Sequence, residues 1–169
     1  MRSSRRRLGF LLAAAALSAL LGCGYSFQSD SGPIVLPEGV RTLAIYKVEN
    51  PSLEVWLEPS IRSKLRDEIT RRGQVVWADS SKADALLYVV VQSFVLTSDV
   101  KSSKDQTLKY SAKLKMQANI KDRLSGRTLW RSGLIDMTQP YFLDQQAQAE
   151  QMTVELAVRE LVDRMSQNY

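Results

Sequence analysis

The chain has 169 residues, with 23 Lys and Arg against 18 Asp and Glu and no histidine. The missing imidazole excludes a histidine triad, a histidine general base and a histidine-ligated metal, and leaves carboxylates, Lys, Ser or Tyr as catalytic options. Residues 1–22 carry four arginines and no acidic residue, so the remainder holds 19 basic against 18 acidic groups. The sequence pI of 9.4 therefore belongs to the leader and is no nucleic-acid footprint.

That leader begins with Arg2, Arg5, Arg6 and Arg7 and continues as an apolar run from Leu8 to Leu21. The run is too short to span a bilayer and has the layout of a signal peptide. It closes on Leu20-Leu21-Gly22-Cys23, which fits a lipobox. A short membrane anchor with an incidental cysteine is the competing reading. The expected mature chain starts at Cys23, is acylated there and works outside the cytoplasm. With Cys23 the single cysteine, no thiol then remains for a disulfide, which a domain of residues 23–169 can do without.

Residues 23–40 read as a lipidated tether, with Gly24, Gly32, Pro33, Pro37 and Gly39 among Ser and Asp. Residues 41–169 read as a single domain. Arg41 to Val48 predicts a strand with Leu43, Ile45 and Val48 inward, followed by a turn at Asn50-Pro51-Ser52. A helix follows, with Pro59 at its first position and Gly73 as its left-handed cap. Leu57, Ile61, Leu65 and Ile69 form its single apolar stripe. Gln74 to Ala78 is a short strand. Leu86 to Val91, continuing through Phe94 and Leu96, reads as a central strand buried on both faces. Residues 98–107 are polar and read as a long loop.

The next segment alternates strictly. Tyr110, Ala112, Leu114, Met116, Ala118 and Ile120 share one face, and Lys113, Lys115, Gln117, Asn119 and Lys121 the other. Ser125-Gly126 is a hairpin turn. Thr128 to Ile135 is the returning strand, with Leu129 and Leu134 inward and Trp130 near the edge. Tyr141-Phe142-Leu143 falls in a connecting loop, as a docking patch or as a cover over the core. Asp144 is placed to cap a last helix over residues 145–167, with Ala147, Val154, Val158, Leu161 and Met165 apolar and Ala157 and Val162 beside them. The order β-α-β-β-β-β-α predicts an α+β, two-layer sandwich: a mixed sheet of four to five strands with both helices on one face.

Chemistry is sparse. Glu150, Glu155, Glu160 and Asp163 lie on the last helix, and Ser60, Ser63 and Lys64 on the first. Both sets read as wet helix faces rather than acid–base or Ser–Lys pairs. No catalytic residue, metal or cofactor is expected. The lysines carry more: Lys101, Lys104 and Lys109 cluster in or beside the long loop, and Lys113, Lys115 and Lys121 line the polar strand face. Such ammonium groups suit either phosphates of a lipid headgroup or protection of an exposed sheet edge.

The ordered motifs resemble the LPS-assembly lipoprotein LptE family. Cys23-Gly24-Tyr25-Ser26-Phe27 is similar to the family's start after its lipobox. Leu36-Pro37-Glu38-Gly39-Val40, Arg71-Arg72-Gly73, Ala83-Asp84-Ala85, Tyr110 and Gly126-Arg127-Thr128-Leu129-Trp130 follow in order, before the late helix. The resemblance implies a non-enzymatic outer-membrane lipoprotein, held by its N-terminal lipid on the periplasmic side. It implies a plug and assembly factor for the LptD β-barrel in lipopolysaccharide transport, with a small sheet bearing two helices. It also implies lipopolysaccharide contact through basic residues, for which Lys101, Lys104 and Lys109 are the candidates here. The chain departs from the family in having no basic residue between Asp136 and Glu150. Two other classes compete: a free lipoprotein carrier of a hydrophobic ligand, and a carboxylate-based hydrolase.

Overall fold

Thirteen residues of alternating polarity carry the longest ladder of the fold. In the computed structural model, which describes Ile34, Leu36, Pro37 and residues 39–73, 75–98 and 109–167, they lie within β4 (Lys109–Asp122). Ala112, Leu114, Met116, Ala118 and Ile120 are buried, and the residues between them are partly exposed. A strand that must bury every second side chain has one register only, because a slip of one residue would turn the apolar set to water. β4 pairs antiparallel with β3 (Ala85–Ser98), Leu87 opposite Ile120 and Phe94 opposite Leu114.

The other elements are β1 (Thr42–Glu49), α1 (Leu57–Arg72), β2 (Val76–Trp77), β5 (Thr128–Arg131), β6 (Ile135–Phe142), a 3-10 turn (Leu143–Gln145) and α2 (Gln146–Gln167). The six strands form one mixed sheet in the order β2-β1-β3-β4-β5, with β6 also beside β4. β1 is parallel to β2 and β3; the remaining pairs are antiparallel. Both helices pack into the same core on one face, where Leu57, Ile61, Leu65 and Ile69 of α1 meet Val154, Val158, Leu161 and Met165 of α2 and the inward row of the sheet. The two-layer α+β sandwich therefore stands, with six strands instead of four to five.

The added strand comes from the segment 128–142. Thr128 to Ile135 is not one strand. The chain breaks at Ser132 and Gly133, where Gly133 has φ 68°, a value that favours glycine. Ser132 Oγ accepts from the Ala118 N–H at 2.8 Å. Arg164 of α2 donates from Nη1 to the carbonyls of Ser132 and Leu134 at 2.8 and 2.9 Å. This clasp releases the chain from β4 after Arg131 and returns it as β6, which pairs over residues 109–116 of β4. Trp130 consequently stands opposite Ile120 and is buried at 5 % exposure, not near the edge, while Leu134 turns outward at 47 %. Tyr141 and Phe142 belong to β6 rather than to a loop.

Smaller differences have local causes. α1 begins at Leu57, so Pro59 is its third residue; Trp56 precedes it without a side-chain cap. Gly73 ends the helix at φ 74°, its N–H bonded to the Thr70 carbonyl. Asp144 lies in the 3-10 turn, exposed, and its carboxylate makes no hydrogen bond among the described residues, so it does not cap the last helix there. Ala147 is exposed and Ala149 takes the inward position. β3 is fully covered on one side only: Leu87, Val89 and Val91 are fully buried, whereas on the other side Leu86 is buried against Ala44 and Ala83 and Tyr88 and Val90 are partly exposed.

Two contacts fix where β1 begins. Ile34 is buried at 1 % exposure, and Leu36 and Val40 pack on the same core. Asp84, just before β3, accepts from the Arg41 and Thr42 N–H groups, both at 3.0 Å, and from the Thr42 hydroxyl at 2.9 Å. Hydrogen bonds to its charged form, the Arg41 amide first, hold the Asp84 carboxyl below its ordinary value.

Candidate interaction surface

The sheet face opposite the helices is the one broad face that no element covers among the described residues. The period-2 pleat delivers its side chains. Register aligns Lys47, Tyr88, Asn119 and Arg131 in one row across β1, β3, β4 and β5. Beside it, Gln117, Asn119, Lys121, Thr128 and Arg131 line a polar depression. Tyr46, displaced outward by a register shift in β1, meets Tyr88 with ring centroids 5.0 Å apart. The Lys121 ammonium lies 4.8 Å from the Tyr88 ring centroid, a cation–π contact that leaves its charge available to further partners.

Charge on this face is partly neutralised. Lys115 pairs with Asp136 at 3.0 Å and Lys47 with Glu49 at 2.7 Å. The hydrogen bond to Glu49 raises the Lys47 pKa. Lys113, Lys121 and Arg131 have no acidic partner among the described residues, and the amides of Gln117 and Asn119 make no side-chain hydrogen bond there.

The helices pair most of their charge, leaving Lys64 and Arg66 of α1 without an acidic partner among the described residues. Arg62 pairs with Glu58, Arg159 with Glu155 and Arg164 with Glu160, each one turn apart. Glu68 bonds both Arg71 and Arg72, and Arg72 crosses to Asp163. The acidic residues of the last helix are thus ion-pair partners, except Glu150, which accepts from Gln146. Ser63 bonds Asp67, not Lys64. Among the described residues no group of metal-ligating side chains forms.

Lys109 opens β4, exposed and opposite Phe142. Cys23, Lys101 and Lys104 lie outside the described residues. The aromatic segment divides: Tyr141 is buried, stacked on Tyr110 at 5.5 Å, and Phe142 is exposed. Burial raises the Tyr141 pKa, helped by Glu150. Tyr88 and Arg131 were hidden in the sequence inside segments that read as apolar or short. Only the β3–β4–β5 register brings them beside Asn119.

Structural comparison supports the fold. A minor lipoprotein from Acinetobacter baumannii superposes with a TM-score of 0.53 at 13% identity, covering 80% of this chain and 95% of that one. A Xanthomonas campestris protein gives 0.52 at 15%, covering 81% and 87%. A Chlamydia trachomatis protein gives 0.52 at 11%, covering 75% and 98%. No curated protein matches the chain in sequence. A family model described as LptE, lipopolysaccharide-assembly, matches residues 40–168, which take in every strand and both helices. The chain belongs to the LptE family of lipopolysaccharide-assembly proteins.

Proposed function

We propose that this protein is an outer-membrane lipoprotein, anchored through acylated Cys23 on the periplasmic side, that plugs an LptD-like β-barrel and supports its assembly for lipopolysaccharide transport. The observation that carries this is the family match over the whole folded domain. The architecture suits the role. One main core sits under two helices laced with ion pairs, and the opposite sheet face is broad, mainly polar and uncovered among the described residues. A plug in a water-filled barrel needs that exterior, because the lumen of a wide barrel is polar. The role is one of binding and assembly and requires no catalytic group. Lys101, Lys104 and Lys109 are the proposed contacts for lipopolysaccharide phosphates. Depletion of the protein in its host tests the function: folded barrel and surface lipopolysaccharide should fall together. Unchanged levels of both would contradict it.

A further inference from the structure

The open sheet face gathers cations and amides on one broad, rigid surface that no element covers among the described residues, and this suits it to docking. Each helix carries ion pairs formed within itself, although Lys64 and Arg66 of α1 have no acidic partner among the described residues and Arg66 lies over the Trp77 ring. Among the described residues the sheet face presents Lys113, Lys121 and Arg131 without acidic partners, beside the side-chain amides of Gln117 and Asn119, which make no hydrogen bond there. The 14 residues of β4 make this face about 45 Å long. Three to four strands abreast make it roughly 15–20 Å across. The resulting area, on the order of 800 Å², is what one partner contributes to a stable specific interface. Apolar area is the smaller part, given by the Tyr46–Tyr88 pair with its surroundings and by Val90 and Val95, opposite Gln117 and Lys113, so the fit is to a mainly polar surface. Guanidinium and ammonium groups held by a rigid sheet favour carboxylates on that surface, with amides and hydroxyls completing the hydrogen bonds.

We propose that the open sheet face, centred on Asn119, Lys121 and Arg131, is the surface that docks on the barrel, against a stretch of luminal wall bearing carboxylates. This rests on the plug role proposed above and adds which side of the domain meets the wall and with what charge. The helices then face away from that stretch.

The test uses the full-length lipoprotein expressed with its barrel. p-Benzoylphenylalanine is placed at Gln117, on the open sheet face, or at Gln151, exposed on α2. Irradiation should join position 117 to the barrel and leave position 151 without a barrel adduct. In parallel, Lys121→Glu with Arg131→Glu should cut the co-purified barrel about ten-fold or more, since like charges then oppose the wall. The thermal midpoint of the lipoprotein should barely move, because both side chains are outside the core. A barrel adduct at position 151 alone, or full barrel recovery with the double variant, overturns the assignment while leaving the plug role intact. An adduct of position 117 with lipopolysaccharide instead of protein also overturns it and gives the face to a phosphorylated saccharide. If the unaltered protein recovers no barrel, the plug role itself fails, and this assignment with it.

Discussion

Arg72 at the end of α1 reaches Asp163 of α2 at 2.6 Å, and its side chain is only 3 % exposed. The same guanidinium holds Glu68 of its own helix at 2.8 Å, so one buried cation bonds a carboxylate on each helix and crosses between them at Asp163. Its Nη1 has no partner among the described residues, so part of the cost of taking this charge out of water is not returned as hydrogen bonds. Arg72→Met should lower stability by about 1–3 kcal/mol, the range for losing hydrogen bonds to a charged group. At this chain length the thermal midpoint should fall by roughly 3–10 °C, read by circular dichroism. Arg71→Met, at an exposed site bonded to Glu68 alone, should shift it far less.

Leu114→Asp should unfold the domain. Leu114 is fully buried opposite Phe94 and Met137. An unpaired carboxylate there costs several kcal/mol, on the order of a domain's whole stability. Lys115→Asp lies one residue on and on the other face, facing Asp136, and should cost only about 1 kcal/mol through like-charge contact. Urea titration of both variants decides it. Equal losses would mean that the β4 register is wrong.

Gly133→Ala tests the break between β5 and β6. A Cβ there would make only an ordinary contact, 3.7 Å from Arg164 Nη1, so the cost is conformational. Holding alanine at φ 68° should cost about 1–2 kcal/mol. Arg164→Met frees the Ser132 and Leu134 carbonyls. It should raise amide hydrogen exchange in β6 more than in β3. Uniform exchange across the sheet would deny the clasp its local role.

Stability should fall in acid. Asp84 is held below its ordinary value by hydrogen bonds from the Arg41 amide and from Thr42. For Glu68, burial pushes the pKa up, but hydrogen bonds from Arg71 and Arg72 outweigh it and the net shift is downward. A folded-state pKa below the unfolded one gives stability that is complete above the unfolded pKa and is lost as pH drops through the folded value. Unfolding free energy should therefore be level near neutrality and decline below the ordinary carboxylate range. Asp84→Asn should flatten part of that decline. An unchanged acid slope in this variant would show that the link between β1 and β3 contributes nothing.

The period-2 signal of β4 and the four-residue stripe of α1 were legible because each depends on local spacing alone. The break at Ser132-Gly133 was not. It depends on Arg164, about thirty residues later, whose bonds to the two flanking carbonyls no local pattern announces. Trp130 and Leu134 exchanged sides for that reason. The lysines of the polar strand face lie on its outward side, as the alternation predicts, but no local pattern predicts their partners. Asp136 reaches Lys115 only because β6 turns back on β4. Arg131 joins Lys121 at one depression only through the β4–β5 hairpin.

Positive charge at Lys101, Lys104 and Lys109 should be felt as salt sensitivity. Changing all three to Ala should weaken lipopolysaccharide binding at low ionic strength and leave the thermal midpoint unchanged. Surface plasmon resonance on immobilised lipopolysaccharide reads the first and calorimetry the second. Equal affinity at low salt would remove these lysines from the contact.

The plug role is tested most directly by the mass of the complex. The lipoprotein is purified through a C-terminal tag from detergent-solubilised outer membrane, and the native mass of the eluate is measured. A one-to-one assembly with a large β-barrel protein, carrying a lipidated chain that begins at Cys23, is the expected result. A lipoprotein that elutes free of any barrel, at its own mass, would contradict the plug role.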